Sequence, residues 1–331
     1  MAEVQLVGLS KSFGATRALD SMTMTIPDGA FVVLLGPTGA GKTTTLRLIA
    51  GLERPDAGDI RIGGASVVTH MPAQRDVAMV FQQYSLYPHL SVRDNLAFPL
   101  RSPVVHMAEA EIGRRVQEVA DVLRIAHKLG NKATQLSGGE MQRVSIGRAL
   151  VRNPRIYLMD EPLSSLDAKL RADLRVELKR IHADLGATFL YVTHDQIEAM
   201  TMATHVGVLD RGRLVQFGTP REIYESPVST YVASRLGQPR INLLPADAFG
   251  AGRAGATQIG LRPEHVRQGE GQEATVRRVE HLGDQTRLHL TLNGHDLITL
   301  ADAHTSLSHG DIVKIRPENP LWFDAEGNRL P

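Results

Sequence analysis

Residues 31–44 read FVVLLGPTGAGKTT. Five apolar residues run without a break into a glycine, the pattern of a strand buried on both faces. Gly36-Pro-Thr-Gly-Ala-Gly41-Lys42-Thr43 then fills every position of G-x-x-x-x-G-K-[ST]. TTTLRLIAGL (43–52) follows and reads as a helix closed by Gly51 or by the Pro55 region. Strand before and helix after are the context this motif needs. Its glycines let backbone N–H groups curl around phosphate oxygens, and the helix N-terminus adds its positive dipole end. Gly36, Pro37, Thr38, Gly39, Ala40, Gly41 and Thr44 are the candidate cradle. Lys42 can reach the outer phosphates, and the Thr43 hydroxyl can ligate Mg²⁺. A chance glycine-rich turn is the competing reading, and both flanks weigh against it.

Working outward, strands and helices alternate. The first 30 residues hold short alternating segments that read as edge strands. DIRIGG (59–64) and VAMVFQQ (77–83) read as further strands. From 91 to about 152 the pattern is helical, with Ile112, Val116, Val119 and Leu123 on one face. RIYLMDEP (155–162) and TFLYVTHD (188–195) are strands that end in polar residues, separated by a helix carrying Leu170, Leu174, Leu178, Ile181 and Leu185 on one face. VGVLDRGRLVQFG (206–218) reads as a hairpin turning at 210–212. Alternation of this kind predicts an α/β fold with a parallel sheet and ligands at the carboxyl ends of its strands.

Those ends carry the chemistry. Asp160 and Glu161 close one strand; the first suits Mg²⁺ and the second a general base for water. An acid pair alone could simply cap the next element; after a complete phosphate loop the functional reading is the strong one. His194 closes another strand and Gln82 a third, where an amide could meet both Mg²⁺ and the attacking water. LSGGEMQRVSIGRAL (136–150) adds a second Gly-Gly pair entering a helix, a second place fit to hold an anion.

In chain order these are GPTGAGKTT, VFQQYSLYPHL, LSGGEMQRV, LMDEP, SSLDA and THD. With them the chain resembles the ATPase subunits of ABC transporters over about residues 3–235, LSGG being the family's distinguishing signature. The resemblance implies an ABC-type P-loop ATPase with ATP and Mg²⁺ as cofactors. It implies a head-to-tail homodimer with two ATP molecules sandwiched between the subunits. Each ATP would sit on one subunit's 36–44 loop and be closed over by Ser137, Gly138 and Gly139 of the other. By position Gln82 is the Q-loop glutamine, able to contact Mg²⁺ and water. Asp160 and Glu161 are the Walker B pair, with Asp160 and Thr43 on the metal side, and His194 is the switch histidine. Asp167 belongs to the D-loop, and Phe13 takes the place of the aromatic that stacks on adenine. Two departures lie here: Glu140-Met141 where Gln-Arg is frequent, and SSLD where SNLD is common. Neither removes a phosphate contact, so activity is expected to survive.

After about residue 236 the texture changes to Gly, Pro and Ala, then to short alternating stretches. The expected domains are 1–236, with a helical subdomain at about 88–152, and an all-β regulatory domain at 237–331. IGLRPEHV (259–266) resembles the C-terminal domain of the carbohydrate-importing, maltose-type ATPases, a β barrel of oligonucleotide-binding-like strands. The segment between Pro245 and Ile259 is short, so early barrel strands are expected to be missing or pared down. The resemblance implies energising a bacterial importer of a sugar, oligosaccharide, polyol or sugar derivative. Partners would be two transmembrane permease subunits and, indirectly, a periplasmic solute-binding protein. Tyr84, Tyr87, Pro88 and His89 are expected on the surface that docks the permease, against ordinary loop packing as the alternative.

Composition narrows the field. The 331 residues include 37 basic and 36 acidic ones, which argues mildly against a nucleic-acid binder. There is no cysteine, so no disulfide, thiolate metal site or cysteine nucleophile. MAEVQLVGLSKSF does not read as a signal peptide. Apolar runs fall far short of the roughly 20 residues that span a bilayer; the resemblance to importer ATPases implies a peripheral place at the cytoplasmic face of the inner membrane. His265, His281, His289, His295, His304 and His309 fit no metal-ligand spacing. The competing classes are an ABC ATPase acting on ribosomes or DNA, which usually has two ATPase domains or a long coiled coil, and a P-loop kinase, which has no use for LSGGE.

Overall fold

The computed structural model describes residues 2–102, 105, 107–250 and 252–331. Two long antiparallel strands open the chain, β1 (Val4–Phe13) and β2 (Thr16–Ile26). Met22, Met24 and Ile26 are buried while Ser21, Thr23 and Thr25 are exposed, the period of two of a half-buried strand; Leu19, also buried, lies beyond a register shift. β3 (Phe31–Leu35) differs: all five residues are buried. It runs into α1 (Lys42–Ala50), which stops at Gly51 with φ 77°, where the cap N–H reaches back to Arg47 and Leu48 carbonyls. β4 (Ala57–Ile62) and β5 (Ala65–Ser66) rejoin the opening strands in a sheet of order β2-β1-β4-β5.

β6 (Val77–Val80) is followed by three helices, α2 (Val92–Ala97), α3 (Glu109–Val122) and α4 (Gly138–Leu150). Ile112, Val116, Val119 and Leu123 are all buried, as their spacing requires. Next come β7 (Ile156–Asp160), α5 (Ala168–Leu185), β8 (Thr188–Thr193), α6 (Gln196–Met202), and the hairpin of β9 (His205–Asp210) and β10 (Arg213–Gly218). The second sheet has the order β10-β9-β3-β8-β7-β6. Its strands are parallel up to the antiparallel edge strand β10. Val32 and Leu34 enter one apolar cluster with α1 and the first sheet. On the opposite face Phe31 lies against Phe189 and Tyr191, with ring centroids 5.3 and 6.0 Å away. Covered on both faces, these strands are continuous apolar runs. Because β3, β6, β7 and β8 are parallel, the residues that follow them leave the sheet at one edge.

The chain divides into two compact units, Met1–Pro220 and Arg221–Pro331. The second holds α7 (Pro220–Glu225), α8 (Thr230–Ala233), β11 (Asn242–Pro245), β12 (Gln258–Leu261), β13 (Val266–His281), β14 (Thr286–Leu292), β15 (His295–Ala301), β16 (Ile312–Pro317) and β17 (Leu321–Phe323). They form two antiparallel sheets, β11-β12-β17 and β15-β14-β13-β16. Leu288, Leu290 and Leu292 point into one core with Val276 and Ile315, leaving Arg287, His289 and Thr291 on the other face. This is the all-β texture the alternation predicts.

Candidate nucleotide site

The loop between β3 and α1 depends on two glycines for close approach. A Cβ on Gly36 would lie 2.8 Å from the Leu209 carbonyl oxygen, and one on Gly41 2.7 Å from that of Ala18. Gly41 also has φ 99°, a conformation L side chains rarely adopt. It caps α1, whose own first turn carries no acid, so within the helix the positive end is left for an anion. Lys42 is 5% exposed and its Nζ donates to the carbonyls of Gly36 and Pro37 at 2.9 and 3.0 Å. Those bonds hold the ammonium across the loop.

Two carboxylates meet this loop from the end of β7. The Thr43 hydroxyl donates to Asp160 Oδ1 at 2.8 Å. Asp160 is 7% exposed. Burial pushes its carboxyl above the usual range, against the pull of the Thr43 hydrogen bond. Glu161 places Oε1 3.4 Å from Lys42 Nζ and Oε2 3.1 Å from His194 Nδ1. Its backbone has φ 86°, a strained value for a side chain with a Cβ. The turn is tied by the Ser164 N–H donating to the Glu161 carbonyl at 2.6 Å. Lys42, Thr43, Asp160, Glu161 and His194 thus come together, brought from three strand ends. Gln82 stands exposed just past β6. Phe13, 46% exposed at the end of β1, has Lys11 Nζ 5.2 Å above its ring.

The Gly-Gly stretch at 137–139 forms a second cluster. Ser137 is the N-cap of α4 and accepts from the Glu140 N–H, while Glu140 Oε2 accepts from the Ser137 N–H at 2.9 Å. Glu140 also pairs with Lys128 at 3.1 Å. These contacts, the Ser137 N–H first, hold its carboxyl below the usual range. Glu140 therefore has a structural reason for its place: it closes a capping box. Ser-x-x-Glu at 137–140 is the sequence signal that announces it. A Cβ on Gly139 would come 2.2 Å from Leu170 Cδ2, and one on Gly138 3.2 Å from the Tyr84 hydroxyl. That hydroxyl lies 3.1 Å from Ser165 Oγ. Asp167 caps α5, accepting from Leu170 N–H at 3.0 Å. Arg171 donates to the Leu166 carbonyl at 2.9 Å and sits 3.7 Å from Asp195. The start of α4, the segment after β6 and the turn into α5 are therefore packed as one body. Sequence reading found each segment and missed the contacts between them.

Beside this body is a groove of about 170 Å³ lined by Phe81, Tyr84, Ser85 and Arg148 among others. Arg148 donates to the Ser85 carbonyl, and its guanidinium lies 4.9 Å from the centre of the Tyr87 ring. Pro88 and His89 are exposed next to it.

Comparison with known proteins bears on both units. The model described as ABC transporter matches residues 19–164, and that described as TOBE domain matches 259–330. The sn-glycerol-3-phosphate import ATP-binding protein UgpC of Ruegeria pomeroyi is 45% identical, with 100% of this chain and 99% of that protein aligned. Its namesake in Cupriavidus pinatubonensis is 42% identical, with 99% of each covered. The dimeric structure of MJ0796, a bacterial ABC transporter cassette, is similar at a TM-score of 0.60 and 30% identity, covering 66% of this chain and 99% of that one. A post-hydrolysis dimer of the same cassette bound to ADP and Pi matches at 0.59 and 31%, over 66% and 99%.

Proposed function

The chain belongs to the ABC transporter ATP-binding family and is an ATP-hydrolysing subunit that energises an importer; from this premise we propose how its residues divide the work and what it helps to import. The observation that carries the division is Glu161, with one carboxylate oxygen toward Lys42 and the other toward His194. ATP phosphates are cradled by the backbone at 36–44 and the N-terminus of α1. Lys42 neutralises phosphate charge, and Phe13 offers its exposed ring to adenine. Glu161 takes the proton of the attacking water, and His194 orients the carboxylate and the outermost phosphate. Ser137, Gly138 and Gly139 supply the N-terminus of α4 to the ATP held by a second copy, with Asp167 beside them. Gln82, exposed past β6, would contact the metal and the attacking water from the third strand end.

The donor set fits Mg²⁺: a hydroxyl and a buried carboxylate stand 2.8 Å apart at the phosphate loop, both hard oxygen donors. Thr43 and Asp160 would hold the ion, with Gln82 nearby, and it would neutralise phosphate charge. In the absence of nucleotide the buried Asp160 charge costs stability. Asp160→Asn is expected to raise the unfolding free energy of nucleotide-free protein by about 1 kcal/mol. It should also erase most of the stabilisation that MgATP gives the natural chain. Urea denaturation with and without MgATP reads both.

We assign the cargo to the class of small polyols, sugars and their phosphates, following relatives named for sn-glycerol-3-phosphate import. The working assembly is two copies of this chain on two permease subunits at the cytoplasmic face, fed by a periplasmic solute-binding protein. No helix among the described residues is long and apolar enough to cross a membrane. The groove by Tyr84 and Arg148, with Tyr87, Pro88 and His89, is the docking surface for the permease. The test is ATP turnover in proteoliposomes holding the chain and its permease. Solute-binding protein loaded with glycerol 3-phosphate or a sugar should raise turnover at least about tenfold. Copurification with ribosomes, and no response to any loaded binding protein, would overturn the reading.

A further inference from the structure

The second unit holds a cavity of about 520 Å³ between the segment entering β11 and the outer face of the β13-β14-β15 sheet. Its lining includes Arg240, Arg277, Arg278 and His289, with Ile241 and Ile298 as apolar wall. Two successive arginines of a regular strand would point to opposite faces. Here the pairing of β13 with β14 shifts register between Val276 and Arg278. The bulge turns both side chains outward. Arg277 Nε donates to Thr291 Oγ1 at 3.0 Å, and Arg278 Nη2 lies 3.1 Å from His289 Nε2. Thr291 and His289 are two apart on β14, hence on one face.

The opposite wall is pinned. Asn242 accepts from the Ile298 N–H at 2.7 Å and donates to the Ile298 carbonyl at 2.8 Å. The cavity is thus braced between a loop and a sheet by fixed hydrogen bonds. Its charge is unevenly matched. Arg278 is paired with Glu280, which also lies 3.4 Å from His289. Asp296 lines the cavity and accepts from Thr291 Oγ1 at 2.7 Å. Arg277 and Arg240 have no carboxylate partner among the described residues. Two guanidiniums without a carboxylate partner, lining a concave, partly apolar space, suit an anion with an organic body.

We propose that this cavity binds a small phosphate monoester, its phosphate on Arg240 and Arg277 and its carbon skeleton against Ile241 and Ile298. A concave site of this volume favours a soluble ligand over a membrane surface, which would need a flat or protruding basic face. The site is independent of the ATPase reading, since it uses no residue of the first unit.

The test is calorimetric titration of the full chain at constant ionic strength, with a non-hydrolysable ATP analogue saturating the 36–44 loop. Probes are glycerol 3-phosphate, glucose 6-phosphate, inorganic phosphate, and uncharged glycerol and glucose. One ester is expected to bind with one site per chain, more tightly than inorganic phosphate, and the uncharged compounds not at all. Arg240→Gln and Arg277→Gln should each weaken it about tenfold. Asp296→Asn should tighten it severalfold, a gain that misfolding cannot mimic. Arg253→Gln, an exposed arginine of the same unit outside the cavity, should leave it unchanged. Binding weakened equally by Arg253→Gln would reduce the effect to surface charge and overturn the proposal. So would equal affinity for inorganic phosphate, no ester binding, or binding to phosphatidylglycerol vesicles alone. Basal ATP turnover, measured alongside, reports separately on the first unit.

Discussion

Glu161→Gln is expected to cut ATP turnover by roughly three orders of magnitude while leaving ATP affinity within about threefold of the natural chain. The amide has the size of the carboxylate. Its oxygen can still accept from Lys42, 3.4 Å away, so the strained turn at φ 86° keeps its packing. What is lost is the basic oxygen that, in the proposed division of work, would take a proton from water. Binding without turnover should trap the ATP-bound dimer, visible by size exclusion with ATP and absent with ADP. Single-turnover kinetics measure the chemical step directly. A variant that turns over within about tenfold of the natural chain would remove Glu161 from the role of base.

Ser137→Tyr should lower turnover at least about a hundredfold, the scale of losing fixed donors to a phosphate charge. Binding of a fluorescent ATP analogue to the monomer should be unchanged, because the Ser137 contacts lie within its own helix and not on the 36–44 loop. The variant also loses a helix cap, worth about 1 kcal/mol, so the assays belong well below its melting temperature. Mixing it with an Asp160→Asn, Glu161→Gln double variant separates the roles. A site that works across the dimer leaves one composite site disabled twice and the other with both motifs intact. Loss of ATP binding by the monomer would instead place Ser137 on its own nucleotide.

Much of the fold was legible because local physics spoke with one voice. FVVLL is apolar throughout since the strand is covered on both faces, and the Gly51 stop follows from its left-handed backbone. The helical face of Ile112, Val116 and Val119 was readable from spacing, and so was the hairpin at 210–212. The parallel order of β3, β8, β7 and β6 also follows in kind, though not in sequence of neighbours. Other features needed the fold. The motif SSLD gives no sign that Ser165 meets the Tyr84 hydroxyl, since 81 residues separate them. Gln82 reads from the sequence as a strand-end residue, and the structure leaves it exposed there, past β6.

The sequence by itself determined the chemistry offered at each strand end: which residue types can hold phosphate, metal and a proton. Those depend on side-chain identity and on short spacings that steric rules make local. Only the tertiary structure decided which of them share a carboxylate. Lys42 and His194 lie 152 residues apart and reach opposite oxygens of Glu161, because parallel strands deliver their ends to one edge. It decided as well that Arg277 and Arg278 share a face. A register shift depends on the partner strand, and no alternation within β13 encodes it.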